Sequence, residues 1–399
     1  MKTLLFVDDE AKVLQGLQRQ LRTMRAEWTM HFVAGGRQAL DFMAAQPVDI
    51  IISDMMMPVM DGSQLLSEVV KQHPQTVRII LSGHAEREAV LRLVGPAHQY
   101  ISKPCDPDAL RQAITQAFAL RDLLGNERLK QLITRIKNLP TLPALQNQIT
   151  EELRKDSPSL ERVGKIISRD IGLTAKILQL VNSAFFGLAQ PISSPAEAAV
   201  YLGLNTIRSL ALSAGIFSQY DQKICRDFSL DTLARHSWQV GEIARRIAQA
   251  ERQDIKICDQ CFLAGLLHDV GQLILAFGLP EEYPLVMARA NKEALPLWQV
   301  EQEFFGATHA DVGAYLLALW GLPNPIIEAV ALHHQPARRA GSEFSPAIAI
   351  HAADVFAHEI SLADTEEPPP PLAAAYLTGL GLAERIETWR NLCNETIEP

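Results

Sequence analysis

Two apolar runs that stop at carboxylates constrain this chain more than any other feature. LFVDDE, Leu5 to Glu10, and IIISD, Ile50 to Asp54, each have strand length and end abruptly in acids. In a parallel sheet such strands end at one edge, and open α/β sheets bind ligands outside that edge. Asp8, Asp9 and Asp54 would therefore converge. Three carboxylates packed together repel one another unless a hard cation such as Mg²⁺ is shared among them. An Mg²⁺ site with spare coordination positions suits phosphoryl chemistry.

Later runs supply further parts. VRIILS, Val77 to Ser82, ends in a hydroxyl, and HQYIS, His98 to Ser102, is followed by Lys103 and Pro104. A hydroxyl and an ammonium beside a metal-bound carboxylate can hold the oxygens of a transferred phosphoryl group. Strands are expected at Thr3–Asp9, Met30–Ala34, Asp49–Asp54, Arg78–Ser82 and Gln99–Ser102. They alternate with helical patterns, the signature of a doubly wound parallel sheet over residues 1–124. The segment MMMPVMDG after Asp54 reads as a loop, punctuated by Pro58 and Gly62, whose methionines give apolar cover.

This order of acidic pair, lone Asp, Ser and Lys-Pro resembles the receiver domain of bacterial response regulators, a flavodoxin-like fold. The resemblance implies that Asp54 is the phosphoacceptor, phosphorylated by a cognate sensor histidine kinase. Asp9 would bind Mg²⁺ directly and Asp8 mostly through water. Ser82 and Lys103 would contact the phosphoryl group, and Tyr100 would be the switch aromatic that turns inward with Ser82. The Lys103–Pro104 peptide would be cis, a form largely confined to proline.

The chain has 399 residues, which implies two or three domains. Its net charge of −9 offers no basic footprint for nucleic acid. No apolar run reaches the ~18 residues of a membrane span, and the N-terminus enters a strand at once, so neither a span nor a signal peptide is expected. Five cysteines, an odd number, read as a reducing compartment and hence a cytoplasmic protein. Cys258 and Cys261 form a lone C-x-x-C without a second pair, which reads as two helix cysteines rather than zinc ligands.

From Asp108 a helical stripe (Leu110, Ile114, Phe118, Leu120, Leu124 and Leu129) continues past the first domain. It reads as one long helix whose last part, residues 125–138, connects the halves and ends near Lys137. Such a helix could pair with a second copy into a homodimer. From Leu139 to 399 the texture is all helix: Glu161–Ser168, Leu173–Ser183, Pro195–Leu202, Thr206–Ser218, Thr232–Glu251, Asp259–Phe277, Glu281–Asn291, Pro296–Phe304, Thr308–Trp320, Asn324–His334 and Pro346–Leu362. Pro and Gly fall between these segments. Glu366 to Leu372 reads as a stiff linker, and a terminal helix near Leu382–Leu392 as folding back on the bundle.

Three strings here act together: LPTLPALQNQI from Leu139, ISRDIGLTAKILQLVNSAFFGL from Ile167 and AAVYLGLNTIRSLALS from Ala198. In this order they resemble the HDOD family, a helical output domain related to HD phosphohydrolases, with a core at about 139–336 and a helical extension to 399. The resemblance implies a regulatory, non-catalytic domain that signals by binding a downstream protein.

The same half carries His236, His268-Asp269, His309, His333-His334, and His351 with Asp354. Imidazoles and carboxylates suit a divalent Fe, Mn or Zn ion. Adjacent helix residues such as His268 and Asp269 cannot aim at one point unless a metal sits over the edge between them. HD hydrolases use such a pair, so His236, His268, Asp269 and Asp354 are the candidate ligands. The alternative is a buried His–Asp network that ties helices together without metal. Two departures favour that alternative. Gln272 stands where HD enzymes carry a phosphate-binding lysine, and QPARRAG follows His334 in place of the Gly-Tyr-Pro of cyclic-dinucleotide hydrolases. Two functional readings follow. One is a response regulator with a protein-binding output. The other is a phosphorylation-regulated metal phosphohydrolase acting on a nucleotide or cyclic dinucleotide.

Overall fold

The computed structural model describes residues 2–83, 97–103, 105–123, 126–136, 139–155, 157–183, 188, 191–212, 218–219, 228–339, 341, 343–361 and 371–393. The Lys103–Pro104 peptide and most of the Pro-rich linker lie outside them. Strands β1 (Lys2–Val7), β2 (Trp28–Val33), β3 (Ile50–Asp54), β4 (Val77–Gly83) and β5 (Gln99–Lys103) form one parallel sheet in the order β2-β1-β3-β4-β5. That is the flavodoxin-like order. The runs are apolar on both faces because both faces are covered. Leu4, Phe6, Ile50, Ile52, Ile79 and Leu81 enter one cluster, with Leu14 and Leu17 of α1 (Ala11–Gln20). Leu5, Val7, Ile51 and Ile80 enter the other, with Ala39 of α2 (Gly36–Ala45) and Leu65 of α3 (Gly62–Gln72). Register places Val7 beside Ser53, Asp54 beside Leu81 and Ser82 beside Ser102, so the acids and the hydroxyl reach one edge.

The expected single connector helix is corrected. Helix α4 (Pro107–Leu123) stops, and Asn126 is extended, with φ −93° and ψ 107°. The Asn126 side chain accepts hydrogen bonds from the Arg128 and Leu129 N–H groups and so caps a new helix, α5 (Glu127–Arg135). The sequence Gly125-Asn126 explains the break, since glycine weakens a helix and asparagine favours its N-cap. Leu129 and Ile133 are buried in the chain's own core.

The helical half continues as α6 (Pro143–Arg154), α7 (Leu160–Ile167), α8 (Ile171–Val181), α9 (Pro195–Leu212), α10 (Leu230–Ala250), α11 (Ile255–Leu267), α12 (Val270–Gly278), α13 (Tyr283–Glu293), α14 (Leu297–Phe305), α15 (His309–Leu319), α16 (Asn324–Leu332), α17 (Pro346–Ser361), α18 (Ala374–Gly379) and α19 (Arg385–Cys393). Gly203 breaks α9 at φ 78°, between the two helices expected there. A two-residue parallel pairing of Pro140–Thr141 with Ser218–Gln219 is the one strand feature the sequence did not suggest among the described residues of this half. Helix α19 folds back as expected. The Trp389 indole N–H donates to Glu251 at 2.8 Å, and Arg385 pairs with the same carboxylate at 2.7 Å.

The expected helix over Asp259–Phe277 is two helices, because the chain turns at His268-Asp269, where Asp269 has φ −99° and ψ 12°. By length and composition Ile255–Gly278 could cross a membrane, but 83% of its apolar window is buried inside the molecule. It is a core element interrupted by a turn.

The halves share one hydrophobic core. Helices α4 and α5 pack on α15. Beneath the sheet, the buried Arg78 guanidinium donates to Thr134 O of α5 at 2.6 Å and to Thr76 O at 3.0 Å. His98 Nε2 lies 3.1 Å from the same Thr134 oxygen, and the Gln179 amide of α8 donates to His98 O at 3.0 Å. Lys176 is buried on α8, its ammonium 5.3 Å from the centre of the Trp320 ring.

Arg78→Ala would remove both guanidinium hydrogen bonds and leave Thr134 O to His98 alone, a loss of about 2–4 kcal/mol. A fall in Tm of the full chain checks this; an unchanged Tm would mean the guanidinium is dispensable. Lys176 gives a pH signature. Burial lowers its ammonium from the usual 10.5 to about 7. Between those values the unfolded chain binds a proton that the folded chain does not, so stability rises with pH across that window. Below about pH 7 both states are charged and the slope vanishes. Lys176→Met should flatten the rise in denaturant midpoint between pH 7 and 10.

Candidate functional site

Two acid-centred sites emerge. At the C-terminal edge of the sheet, Asp8 and Asp54 are buried and Asp9 is exposed. The Lys103 ammonium sits between the two buried acids, 2.8 Å from Asp8 Oδ2 and in contact with Asp54 Oδ1. The sequence suggested a cation to relieve the repulsion, and here the lysine supplies positive charge. The Met56 N–H donates to Asp54 Oδ2 at 3.0 Å. Burial raises the Asp54 carboxyl above its usual range despite the opposing pull of Lys103. Burial would lower Lys103, but Asp54 and Asp8 hold it above its usual value. Ser82 is buried on the neighbouring strand, and Tyr100 is buried with its ring in the second sheet-face cluster. Met55 and Met57 provide the expected cover, while Met56 and Val59 project outward beside the acids.

The second site lies inside the helical half, where α10, the α11–α12 turn, α15, α16 and α17 meet. The turn solves the problem of aiming two adjacent residues. His268 ends α11 and Asp269 precedes α12, so their side chains face each other, with His268 Nε2 3.2 Å from Asp269 Oδ2. His236 of α10 reaches Asp354 of α17 at 3.1 Å and Asp269 at 3.9 Å. His309, the first residue of α15, places Nε2 3.2 Å from Asp269 Oδ1. His333 lies 3.8 Å from the same oxygen, and His334 Nε2 lies 2.9 Å from His309 Nε2.

The candidate ligands His236, His268, Asp269 and Asp354 are thus brought together, and His309, His333 and His334 join them. His351 does not. Its Nδ1 contacts His333 O at 2.7 Å and its Nε2 accepts the Ala373 N–H at 2.9 Å, so it clips the C-terminal segment in place. Two partners were missed in the sequence. His358 lies one turn after Asp354 and contacts its carboxylate at 3.1 Å, a spacing that could have been noticed. Glu301 carried no local signal. It is buried, accepts from Tyr283 OH at 2.8 Å, and contacts both His309 N and Nδ1 at 2.7 Å.

The ring orientations matter for chemistry. His268 Nδ1–H donates to Gly265 O and His333 Nδ1–H to Val330 O, each at 2.7 Å. Their Nε2 atoms then point into the cluster, that of His268 toward Asp269 and that of His333 buried without a hydrogen-bond partner. Metal-bound histidines are held in this way, with the other ring nitrogen donating to a carbonyl or carboxylate. Without an ion the charges are strongly coupled. Burial disfavours the His309 cation, yet Glu301 and Asp269 raise it to about 10. Burial and its imidazole neighbours push His333 down to about 3. Burial would raise Asp269, but His268 and His309 hold it well below the usual carboxylate range.

A cavity of about 700 Å³ opens over the cluster. His236, Asp269, His309, His334, Asp354 and His358 form its polar floor, while Phe228, Met287 and Trp298 contribute apolar wall. Gln272 lines it, and among the described residues no Lys or Arg does. The volume is that of a small-molecule site. Cys258 and Cys261 are free, buried thiols away from this lining, in keeping with helix packing.

Comparison with known proteins matches a family model described as a response regulator receiver domain to residues 4–115, and one described as an HDOD domain to residues 139–336. An uncharacterized protein of Treponema pallidum is 28% identical over 54% of this chain and 41% of its own length. The hydrogenase transcriptional regulatory protein HoxA of Cupriavidus necator is 35% identical over 31% of this chain and 26% of its own. The chain thus spans less than half the length of these curated relatives. Among solved structures, the MmoQ response regulator of Methylococcus capsulatus is 27% identical, covering 65% of this chain and 98% of that one, with a TM-score of 0.49. A virulence factor of Campylobacter jejuni shares the fold at 18% identity and TM-score 0.51, covering 68% and 99%.

The cluster depends on close approach of α12 to α15. A Cβ at Gly271 would overlap the carbonyl oxygen of His309. Gly271→Ala should force these helices apart at a cost of at least about 2 kcal/mol. Thermal denaturation checks the cost, and His309 side-chain NMR shifts check the disturbance. A variant with wild-type Tm would show that the backbone yields without consequence.

Proposed function

We propose that this two-component response regulator, a receiver domain joined to an HDOD domain, accepts a phosphoryl group on Asp54 from a sensor histidine kinase. Its HDOD half would pass the signal on by binding a protein partner. The observation that carries this reading is the edge where Asp54, Asp8, Lys103 and Ser82 meet. The donor set fits Mg²⁺, since three carboxylates, one of them exposed, are hard oxygen ligands. Asp8, Asp9 and Asp54 would hold the ion, which when bound offsets the charge of an incoming phosphate. Lys103 would exchange its contact with Asp54 for a phosphoryl oxygen, and Ser82 would hold another. Tyr100, buried beside them, would keep the inward position that this exchange favours. The signal would cross directly from α4 and α5 to α15, whose first residue is His309. The Asn126 amide, 2.6 Å from Phe305 O, adds a second crossing. We set the domain limits at 1–124, 125–138 and 139–399, and the compartment as the cytoplasm, in keeping with four free thiols among the described residues.

A second reading for the helical half, divalent metal binding, is favoured by the convergence of His236, His268, Asp269 and Asp354 and by the partnerless buried Nε2 of His333 beside them. His236, His268, Asp269 and Asp354 would hold Fe, Mn or Zn, for which imidazole and carboxylate donors are suited. Such an ion supplies Lewis acidity and an acidified water. With the cavity above it, this supports the phosphohydrolase alternative. Gln272 in the cavity wall speaks for a regulatory role instead, because the wall's described residues bring no Lys or Arg to a phosphate.

Incubation with acetyl phosphate and Mg²⁺ should label the protein at Asp54 alone, and Asp54→Asn should abolish the label. Asp9→Ala should raise the Mg²⁺ requirement while leaving Asp54 the acceptor. Mass spectrometry that located the phosphoryl group elsewhere would overturn the assignment.

A further inference from the structure

We propose that the α13–α14 hairpin is a lid over the cavity, and that helix α5, the connector from the receiver, holds it in place. Control of the lid by phosphorylation rests on the Asp54 reading above; the lid itself rests on geometry. The hairpin runs from Tyr283 to Phe305 and supplies most of the cavity's apolar wall, with Met287, Leu295 and Trp298 among its lining side chains. The polar floor comes from other elements, with His236 on α10, His309 on α15 and Asp354 on α17. Floor and wall are packed very differently. In α15 every residue from Val312 to Leu319 is buried, whereas α13 buries Tyr283, Val286 and Ala290 and α14 buries Val300, Glu301 and Phe305. Leu285 and Phe304 face solvent. Elements with few buried contacts open at lower free energy than the core beside them, so the hairpin is the part of the cavity that can move.

Helix α5 meets the hairpin at its base, on both strands of chain that enter and leave it. Leu132 covers Gly278, where a Cβ would overlap it, just before the hairpin begins. The Arg128 guanidinium donates to Glu282 at 2.8 Å, next to the first residue of α13. The Asn126 amide donates to the carbonyl of Phe305, the last residue of α14, at 2.6 Å. An ion pair this near the surface contributes little by itself. Here, however, the second Glu282 oxygen is buried without a hydrogen-bond partner, so Arg128 is placed where its loss is felt. The same base holds a pivot and a hinge. Buried Glu301 accepts from Tyr283 OH and from the His309 N–H, pinning the base to α15. Gly306, at φ 71°, follows α14 and turns there without steric cost. At the far end, Ala294 closes the tip at φ 50°, a left-handed conformation uncommon for alanine and typical of clamps and switches. The tip stands about 15 Å from the base along α13, so a small displacement of α5 is enlarged there. Trp298 near the tip lies against His334, their ring centroids 5.8 Å apart and their planes at 21°, and this contact breaks when the lid lifts.

The test uses the full chain, followed by hydrogen exchange and by acrylamide quenching of Trp298, read as the difference from Trp298→Phe. Asn126→Asp keeps the oxygen that caps α5 but cannot donate to Phe305 O, and Arg128→Met removes the cation at Glu282. Together they should speed exchange across Val286–Val300 about tenfold, the equivalent of two modest hydrogen bonds. Trp298 quenching should rise and exchange in α15 should stay at the wild-type rate. Arg135→Met, exposed at the other end of α5, should change none of these. Acetyl phosphate with Mg²⁺, with the Asp54 label verified in the same sample, should open the wild-type lid equally and add nothing in the double variant. Wild-type exchange and quenching in the double variant would overturn the lid, and so would a rise that extends through α15. A chain labelled at Asp54 whose hairpin is unchanged would overturn control by phosphorylation and leave Asp54 as the acceptor. Absence of the label would overturn the Asp54 reading, and the double variant would still decide the lid.

Discussion

The helical half is built around a carboxylate that burial alone would forbid. Asp269 is 5% exposed and sits among imidazoles from four helices. An isolated carboxylate in that position would take up a proton rather than remain charged. It stays ionised because His268 and His309 face its two oxygens. The helices that deliver those rings must converge, and glycines permit it. Gly241 and Gly265 bring α10 and α11 nearly into backbone contact, and Gly271 does the same for α12 and α15. The turn between α11 and α12 is part of the same solution, since an unbroken helix would splay His268 and Asp269 apart.

The sheet-edge site balances charge differently. There the acids lie at strand ends, partly open to water, and one lysine between them provides the compensation. A flexible ammonium can be displaced by an incoming ion or phosphoryl group, whereas the His268, His309 and His333 rings are each held at Nδ1 by a buried acceptor. One site is therefore suited to repeated charge transfer and the other to holding a constant arrangement. This contrast fits a chain whose first half receives a signal and whose second half keeps a shaped surface and cavity.

The two halves are joined by packing. A single core runs through both, and Arg78 and His98 tie the underside of the sheet to α5. Helix α15 carries the consequence. Its flank meets α4 and α5, and its first residue stands in the metal-like cluster. Displacement of α4 would be felt at His309 through close-packed contacts, which transmit strain because interiors lack free volume.

The sequence by itself determined the strands and their acids, the change to an all-helical texture at Leu139, and the His268-Asp269 pair. Each is written in local periodicity or in adjacent residues, so no distant contact is needed to read it. Tertiary structure decided what no local pattern encodes. The apolar period reads straight through His268-Asp269, yet the chain turns there because the buried pair must face inward. The stripe from Leu110 to Leu129 reads as one helix, yet Asn126 is extended and caps a second, whose Leu129 and Ile133 are buried in the core. Glu301 and Lys103 find His309 and the acids across separations that carry no periodic signature. Those pairings follow from which charges the folded chain can bring together.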